Sequence, residues 1–341
     1  MGSWIKKEFL GKGSYGTVRK AVPLTRELAD SKDDDDDDSP LMMVSEIAVK
    51  SADFASSTSL RKEGDILFLL SDCPGIIRCY GEDVSEEKGR RVYNLLLEFA
   101  PGGSLKSLIE RRGGALPESE VRRYTRMMLK ALNYVHDKGY VHCDIKPHNI
   151  LVFPSQHGNG NYVKIADFGL AKKADEGNGW SDIDPRLMGR TRGTLPYASP
   201  ESIVWNMNKS PVDIWALGCT VSQMMTGRSP WECTDRLELK LKIILGRELP
   251  RIPENMSSQG KDFLRKCFER EWETRSTAAE LLRHPFVEGE PEEWADEMLR
   301  SADEDGRWAF RFSMFKEEEE DPLTTIPIEF YLPSSLRVPV L

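Results

Sequence analysis

The stretch VHCDIKPHNIL, Val141 to Leu151, sets a carboxylate (Asp144), an ammonium (Lys146) and a carboxamide (Asn149) within six residues, among apolar neighbours that read as strand and turn. A hydroxyl attacking a phosphoryl group needs a carboxylate to orient it and accept its proton, a cation near the transferring group, and a metal ligand alongside. Asp144, Lys146 and Asn149 supply those three groups. Eighteen residues after Asn149, Asp167 opens the triplet Asp167-Phe168-Gly169 and offers a second metal-binding oxygen. Magnesium takes few protein ligands and fills its shell with phosphate and water, so one Asp and one Asn suffice.

Upstream, GKGSYGTV places Gly11, Gly13 and Gly16 between two strands. Glycines let the backbone approach phosphate oxygens and aim N–H groups at them, although a hairpin needing positive φ uses glycine too. A dinucleotide fold requires strand, loop and then helix, whereas here a second strand follows the loop. Lys50 ends the apolar run EIAVK, 32 residues beyond Val18. Such a lysine is either solvated at a strand end or fixed by its core-facing neighbours, and Glu63 on the next helix is its candidate partner.

Around these motifs the pattern changes once. The first hundred residues alternate as strands in WIKKEFLGKGSYGTVRKAV, LMMVSEIAVK, GIIRCYGEDV and RVYNLLLEFA, the last two joined by a polar turn at Glu86 to Arg90, with one helix predicted at about Ser59 to Leu70. Helical spacing takes over at Pro117 to Lys138, Val212 to Met225 and Gly260 to Arg270. The order predicts an α+β, bilobal arrangement: a β-rich lobe over residues 1–100, interrupted by an acidic loop at 27–40, then a helical lobe over 101–287 and an acidic extension over 288–341. The extension carries Trp294, Trp308, Phe310, Phe312 and Phe315 among its acids. It reads as a loosely ordered segment packed on the helical lobe, or else as a docking segment, with the first preferred.

Composition bounds the rest. With 341 residues, 39% apolar and 30% charged, the chain is long enough for a substantial core. Its six cysteines form no C-x-x-C pair, so neither a zinc knuckle nor a disulfide framework is expected; a reducing, cytoplasmic compartment fits, with the nucleus open as a second. No apolar run approaches a spanning helix of about 18 residues, and the N-terminus lacks a signal core. Lys6 stands where a myristoylation signal places Ser or Thr. The net charge of −9 is unevenly spread: from Glu288 onward 5 basic residues face 15 acidic ones, and the rest of the chain carries 42 basic and 41 acidic. Without the run Asp33 to Asp38 the body is at +7, and no basic–aromatic interleaving marks a nucleic-acid platform.

Over about residues 4 to 287 the sequence resembles the eukaryotic protein kinases, through Gly-x-Gly-x-x-Gly-x-Val, Ala-Val-Lys, the helix glutamate, His-x-Asp-x-Lys-x-x-Asn, Asp-Phe-Gly, SPE at Ser199 to Glu201, DIWALGC at Asp213 to Cys219 and HPF at His284 to Phe286. The resemblance implies a two-lobed fold with ATP and Mg2+ between the lobes. It implies that Leu10, Val18, Ala48 and Leu151 sandwich the adenine, that Gly11, Lys12, Gly13, Ser14, Tyr15, Gly16 and Thr17 line the phosphates, that Leu97 is the gatekeeper, and that Glu98 to Ala100 form the hinge. Lys50 paired with Glu63 would hold the α- and β-phosphates, Asp144, Lys146 and Thr194 would act on the acceptor, and Asn149 and Asp167 would bind metal. Glu201 would pair with Arg275, and Asp213 would anchor the catalytic loop.

Lys146 two residues beyond Asp144, with GTLPYASPE after the activation loop, resembles serine/threonine rather than tyrosine kinases. Cys143 departs from the family, most of whose members have arginine there to receive an activation-loop phosphate. Candidate regulatory hydroxyls are Ser181 and Thr191. Within the family, W-I-K, FAPGGSL, HCDIKPHNIL and TGRSPW look most similar to plant mitogen-activated protein kinase kinase kinases, which implies a mitogen-activated protein kinase kinase as protein substrate; the hydropathy predicts no membrane insertion, and oligomeric state is left open. A pseudokinase scaffold and a small-molecule kinase are the alternatives. The complete set Lys50, Glu63, Asp144, Asn149 and Asp167 counts against the first, and the peptide-docking segment GTLPYASPE against the second.

Overall fold

The computed structural model describes residues 4–13, 16–23, 46–155, 160–174, 193–246 and 248–289. Five antiparallel strands, β1 (Trp4–Gly13), β2 (Gly16–Pro23), β3 (Ile47–Asp53), β4 (Cys79–Glu87) and β5 (Arg90–Glu98), form one sheet in the order β1-β2-β3-β5-β4. Helix α1 (Thr58–Leu69) packs against β4 and β5. The turn between β4 and β5 is tight because Lys88 and Gly89 both take positive φ, 54° and 75°. Side chains alternate between the two faces of the sheet, and each face buries its own apolar set. Ala48, Leu95 and Leu97 join the main core with Leu60 and Leu67 of α1, whereas Trp4, Ala21, Ile47, Val49, Tyr80 and Leu96 form a small second cluster.

The helical lobe follows, with α2 (Leu105–Arg111), α3 (Glu118–Asp137), α4 (Pro200–Trp205), α5 (Pro211–Thr226), α6 (Arg236–Leu245), α7 (Ser258–Cys267) and α8 (Ala278–Leu281). Two small two-stranded sheets sit between α3 and α4: β6 (Tyr140–Val141) pairs with β9 (Lys172–Lys173), and β7 (Ile150–Pro154) with β8 (Asn161–Ile165). Helix α5 is the spine of this lobe, its residues from Val212 to Met225 buried on every side, the polar Asp213, Thr220, Ser222 and Gln223 included. A Cβ at Gly218 would lie 2.7 Å from both Cys267 Cβ and the Phe268 ring, so glycine is what lets α5 and α7 approach. No helix among the described residues is long and apolar enough to cross a membrane.

The four helices expected from periodicity are present with shifted ends, and the largest shift is in α7, which runs from Ser258 to Cys267 rather than from Gly260 to Arg270. Its start is set by Ser257, whose hydroxyl accepts from the Gly260 N–H. Helices α2, α4, α6 and α8 went unassigned although each follows a capping side chain, Ser104, Ser199, Asp235 and Thr277. The acidic loop at 27–40, the extension from 290 onward, Ser14, Tyr15, Ser181 and Thr191 lie outside the described residues.

Candidate active site

The position of Lys50 follows from sheet register. It lies opposite Val18 on β2 and Leu95 on β5, while Ala48, two residues back on the same face, lies opposite Leu97. Its Nζ is held by two carboxylates, at 2.6 Å from Glu63 Oε2 and 2.8 Å from Asp167 Oδ1. Glu63 is buried on α1, one turn from Leu60 and Leu67. Burial opposes the ammonium of Lys50, yet the two carboxylates outweigh it and raise its pKa. Burial likewise opposes ionisation of Asp167, and Lys50 overcomes it, so Asp167 falls below its usual range. Both charges therefore persist through neutral pH. The amine of Lys62, next to Glu63, donates to the Ala171 carbonyl at 2.9 Å and ties α1 to the chain just beyond Asp167-Phe168-Gly169.

The loop carrying Asp144 is fixed from beneath. Asp213, fully buried in the first turn of α5, accepts from the His142 and Cys143 N–H groups at 2.8 and 2.9 Å and meets His136 Nε2 at 2.9 Å. Its negative charge also sits at the favourable end of the helix dipole. Cys143 pays for the resulting bend with φ of 66°, and its thiol donates to the Val141 carbonyl and to Asn208 Oδ1. His142 Nδ1 accepts from the Asp144 N–H, which assigns the ring hydrogen to Nε2, where it meets the Ala166 carbonyl at 3.1 Å. The same ring packs edge-on against buried Phe168 at 4.6 Å. One histidine thus braces both the Asp144 loop and the Asp167 triplet, whose aspartate holds left-handed φ and ψ of 66° and 69°.

Around Asp144 the polar groups converge. Lys146 Nζ lies 2.6 Å from Asp144 Oδ2 and 2.8 Å from Thr194 Oγ1, while the Thr194 hydroxyl donates to Asp144 Oδ1 at 2.9 Å. Asn149 Nδ2 donates to both the Asp144 carbonyl and Oδ2, at 2.9 and 3.0 Å. With Nδ2 committed, the atom Asn149 offers to a cation is Oδ1. Thr194 can reach because Gly193 precedes it at φ of 78°, where a Cβ would stand 2.5 Å from the Cys143 carbonyl. Glu201 is clamped by Arg275 through two bonds of 2.6 and 3.1 Å, both partners fully buried. Arg275→Met leaves a buried carboxylate without its cation and is expected to cost about 3–5 kcal/mol, read as a lowered denaturation midpoint.

The remaining predicted residues lie on β1, β2, β3, β5 and β7 and just beyond β5. Gly11 and Gly13 end β1 and Gly16 begins β2, where a Cβ would be 2.5 Å from the Ser51 carbonyl. Leu10 and Lys12 are exposed, Thr17 and Val18 half-buried, Ala48 and Leu97 buried, and Leu151 half-buried on β7. Glu98 holds a surprise: its carboxylate is spent, with Oε1 at 2.7 Å from buried Lys164 and Oε2 accepting from the Arg78 N–H at 3.1 Å. Its N–H is taken as well, donating to the Arg78 carbonyl at 2.9 Å, and the Ala100 carbonyl accepts from the Gly103 N–H at 3.0 Å. The sequence reading missed Lys164, and its signal was a lysine inside the apolar strand YVKI.

A family model described as protein kinase domain matches residues 4–287. The chain belongs to the protein kinase family. The kinase is 43% identical over 289 residues to mitogen-activated protein kinase kinase kinase 20 of Arabidopsis thaliana, covering 83% of this chain and 78% of that protein. It is 36% identical over 300 residues to mitogen-activated protein kinase kinase kinase 18 of the same plant, covering 85% and 79%. Membership implies ATP and a divalent cation, and the donor set fits the cation. Asp167 keeps Oδ2 clear of Lys50, Asn149 keeps Oδ1, and among the described residues no group of three His, Cys, Asp or Glu gathers as a closed cage. Two protein oxygens, with the rest of the shell left to other donors, suit an ion that shares its shell with phosphate.

Proposed function

We propose that this kinase transfers the γ-phosphoryl group of ATP, with magnesium as the cation, to serine or threonine of a mitogen-activated protein kinase kinase. The observation that carries the reading is the closed ring Asp144–Lys146–Thr194 together with the Lys50–Glu63–Asp167 contacts. The substrate class is supported by Lys146 two residues after Asp144 and by relatives named mitogen-activated protein kinase kinase kinases.

In this reading the adenine lies between Leu10, Val18 and Ala48 above and Leu151 below, against the backbone of Glu98 to Ala100 and with Leu97 behind. Gly11 to Thr17 cover the phosphates, and Lys50, oriented by Glu63, holds the α- and β-phosphates. Asn149 and Asp167 would hold magnesium, which would shield phosphate charge and polarise the transferring group. Asp144 orients the acceptor hydroxyl and takes its proton as the new O–P bond forms and the bond to ADP breaks, while Lys146 stabilises the charge on the transferring oxygens. Thr194 fixes Lys146 and Asp144 relative to each other. The described site has these contacts with a thiol at Cys143, where no guanidinium is present to receive a phosphate on Ser181 or Thr191.

The test offers the full chain ATP and magnesium together with catalytically inactive kinase kinases, tyrosine peptides and small-molecule alcohols, and maps the product. Phosphoserine or phosphothreonine on a kinase kinase is expected. Label confined to tyrosine or to a small molecule overturns the reading.

A further inference from the structure

Helix α3, Glu118–Asp137, packs against α5, α8, β6 and β8 through a broad apolar side. At about 100° per residue its opposite side carries Arg122, Arg123, Arg126, Lys130 and Asn133, four cations and an amide with no carboxylate among them. Charged residues on the outer side of a helix normally stand in water. Here every residue from Val121 to His136 is buried or half-buried, these five included. Arg122 lies 3.3 Å from Glu118, with its guanidinium 5.3 Å from the centre of the Phe286 ring. Arg123 packs against Gly160, just before β8, so closely that a Cβ there would collide with its guanidinium. Arg126 donates to the Leu282 and Val287 carbonyls at 3.4 and 3.2 Å.

That last contact places the start of the acidic extension beside this arc. The Val287 and Glu288 N–H groups both donate to the His284 carbonyl at 2.9 Å, and Gly289 then takes φ of 77°, a left-handed conformation suited to glycine that turns the chain. The next ten residues, EPEEWADEML from Glu290, hold the carboxylates Glu290, Glu292, Glu293, Asp296 and Glu297 and no base. Acidic pairs alternate with the pairs Trp294-Ala295 and Met298-Leu299, so the acids recur every four residues, the interval that separates Arg122, Arg126 and Lys130. Length agrees with charge. From Arg122 to Lys130 a helix rises about 12 Å, and a stretch such as Glu290 to Glu297 can span at most about 27 Å. The run Asp33 to Asp38 has the same sign but is tethered in the other lobe, between β2 and β3.

We propose that the arc Arg122, Arg123, Arg126 and Lys130 of α3 is the docking surface for the chain's own acidic segment 290–297, held in cis as a strap across the helical lobe. One exposed ion pair contributes little, but a row of pairs at a common spacing forms a network. The tether at Val287 to Gly289 adds an effective concentration of about millimolar, which a free peptide would lack. Helix α3 ends near His136, which meets Asp213 and through it the Asp144 loop, so the strap braces the helix that leads into that loop. The docking is independent of which protein accepts phosphate.

The test uses the full chain at low concentration. Lys130 is the lysine of the arc, so a carbodiimide, which joins an amine to a carboxylate in contact with it, reads its partner by digestion and mass spectrometry. A link from Lys130 to a carboxylate within 290–297 is expected in the monomer. The second readout is cleavage after Arg300 by an arginine-specific protease. Arg123→Glu/Lys130→Glu is expected to speed that cleavage about ten-fold, and adding Glu293→Lys/Glu297→Lys to restore the parent's rate, a rescue that a merely damaged helix would not show. A Lys130 link to Asp33–Asp38, a link confined to a dimer, or none to 290–297 overturns the proposal, since each leaves the arc to another occupant. So does cleavage at the parent's rate in Arg123→Glu/Lys130→Glu, or a faster rate that the reversed pairs leave unchanged. Where the charge-reversed chains fail to fold, the Lys130 link in the parent decides.

Discussion

Replacing Asp144 with asparagine is expected to lower kcat by about a thousand-fold, some 4 kcal/mol of transition-state stabilisation, while affinity for ATP stays within about two-fold. The change is nearly isosteric, and the Asp144 loop is held by contacts it does not touch: Asp213 binds the His142 and Cys143 N–H groups, and His142 braces Phe168. What is lost is the charge that lies 2.6 Å from Lys146 and that the proposed function has accept the acceptor's proton. Steady-state turnover together with a fluorescent-nucleotide Kd checks both halves. Turnover within ten-fold of the parent would remove Asp144 from its proposed role.

Lys50→Met is expected to act on both activity and stability. Its ammonium is the shared partner of Glu63 and Asp167, so the variant strands a buried carboxylate and frees the one proposed to bind metal. Turnover is expected to fall by at least about a hundred-fold, and unfolding free energy by about 3–5 kcal/mol. The two effects separate in the double variant Lys50→Met/Glu63→Leu. Removing both charges takes away the uncompensated carboxylate and is expected to restore most of the denaturation midpoint without restoring turnover. If the double variant is no more stable than Lys50→Met alone, burial of Glu63 is not the source of the cost.

Local sequence showed the residues whose partners are local. Asp144, Lys146 and Asn149 lie within one turn-rich loop, so their convergence is nearly a covalent fact, and Thr194 joins them from a distance. The α3 helix was equally legible, because 20 residues of three- and four-residue spacing leave little choice of period. Short capped helices were not legible. In α6 the hydrophobic alternation argues for a strand, and the structure follows instead the helix-favouring Leu, Lys and Glu residues between an Asp cap and a Gly stop. The Lys164–Glu98 pair, 66 residues apart, was invisible for another reason: a buried charge announces that it needs a partner and not which one.

The amino-acid order by itself determined the chemistry on offer: which oxygens can hold a cation, which carboxylate can take a proton, and where glycine lets backbone approach phosphate. Those properties belong to single side chains and short spacings, and they survive in any fold that keeps the loops intact. Tertiary structure alone decided which groups are still free to act, because hydrogen bonds are finite and each one made inside the protein is withdrawn from a ligand. Packing committed the carboxylate of Glu98 to Lys164, left Oδ1 of Asn149 and Oδ2 of Asp167 clear of those contacts, and turned three leucines of α6 outward to water.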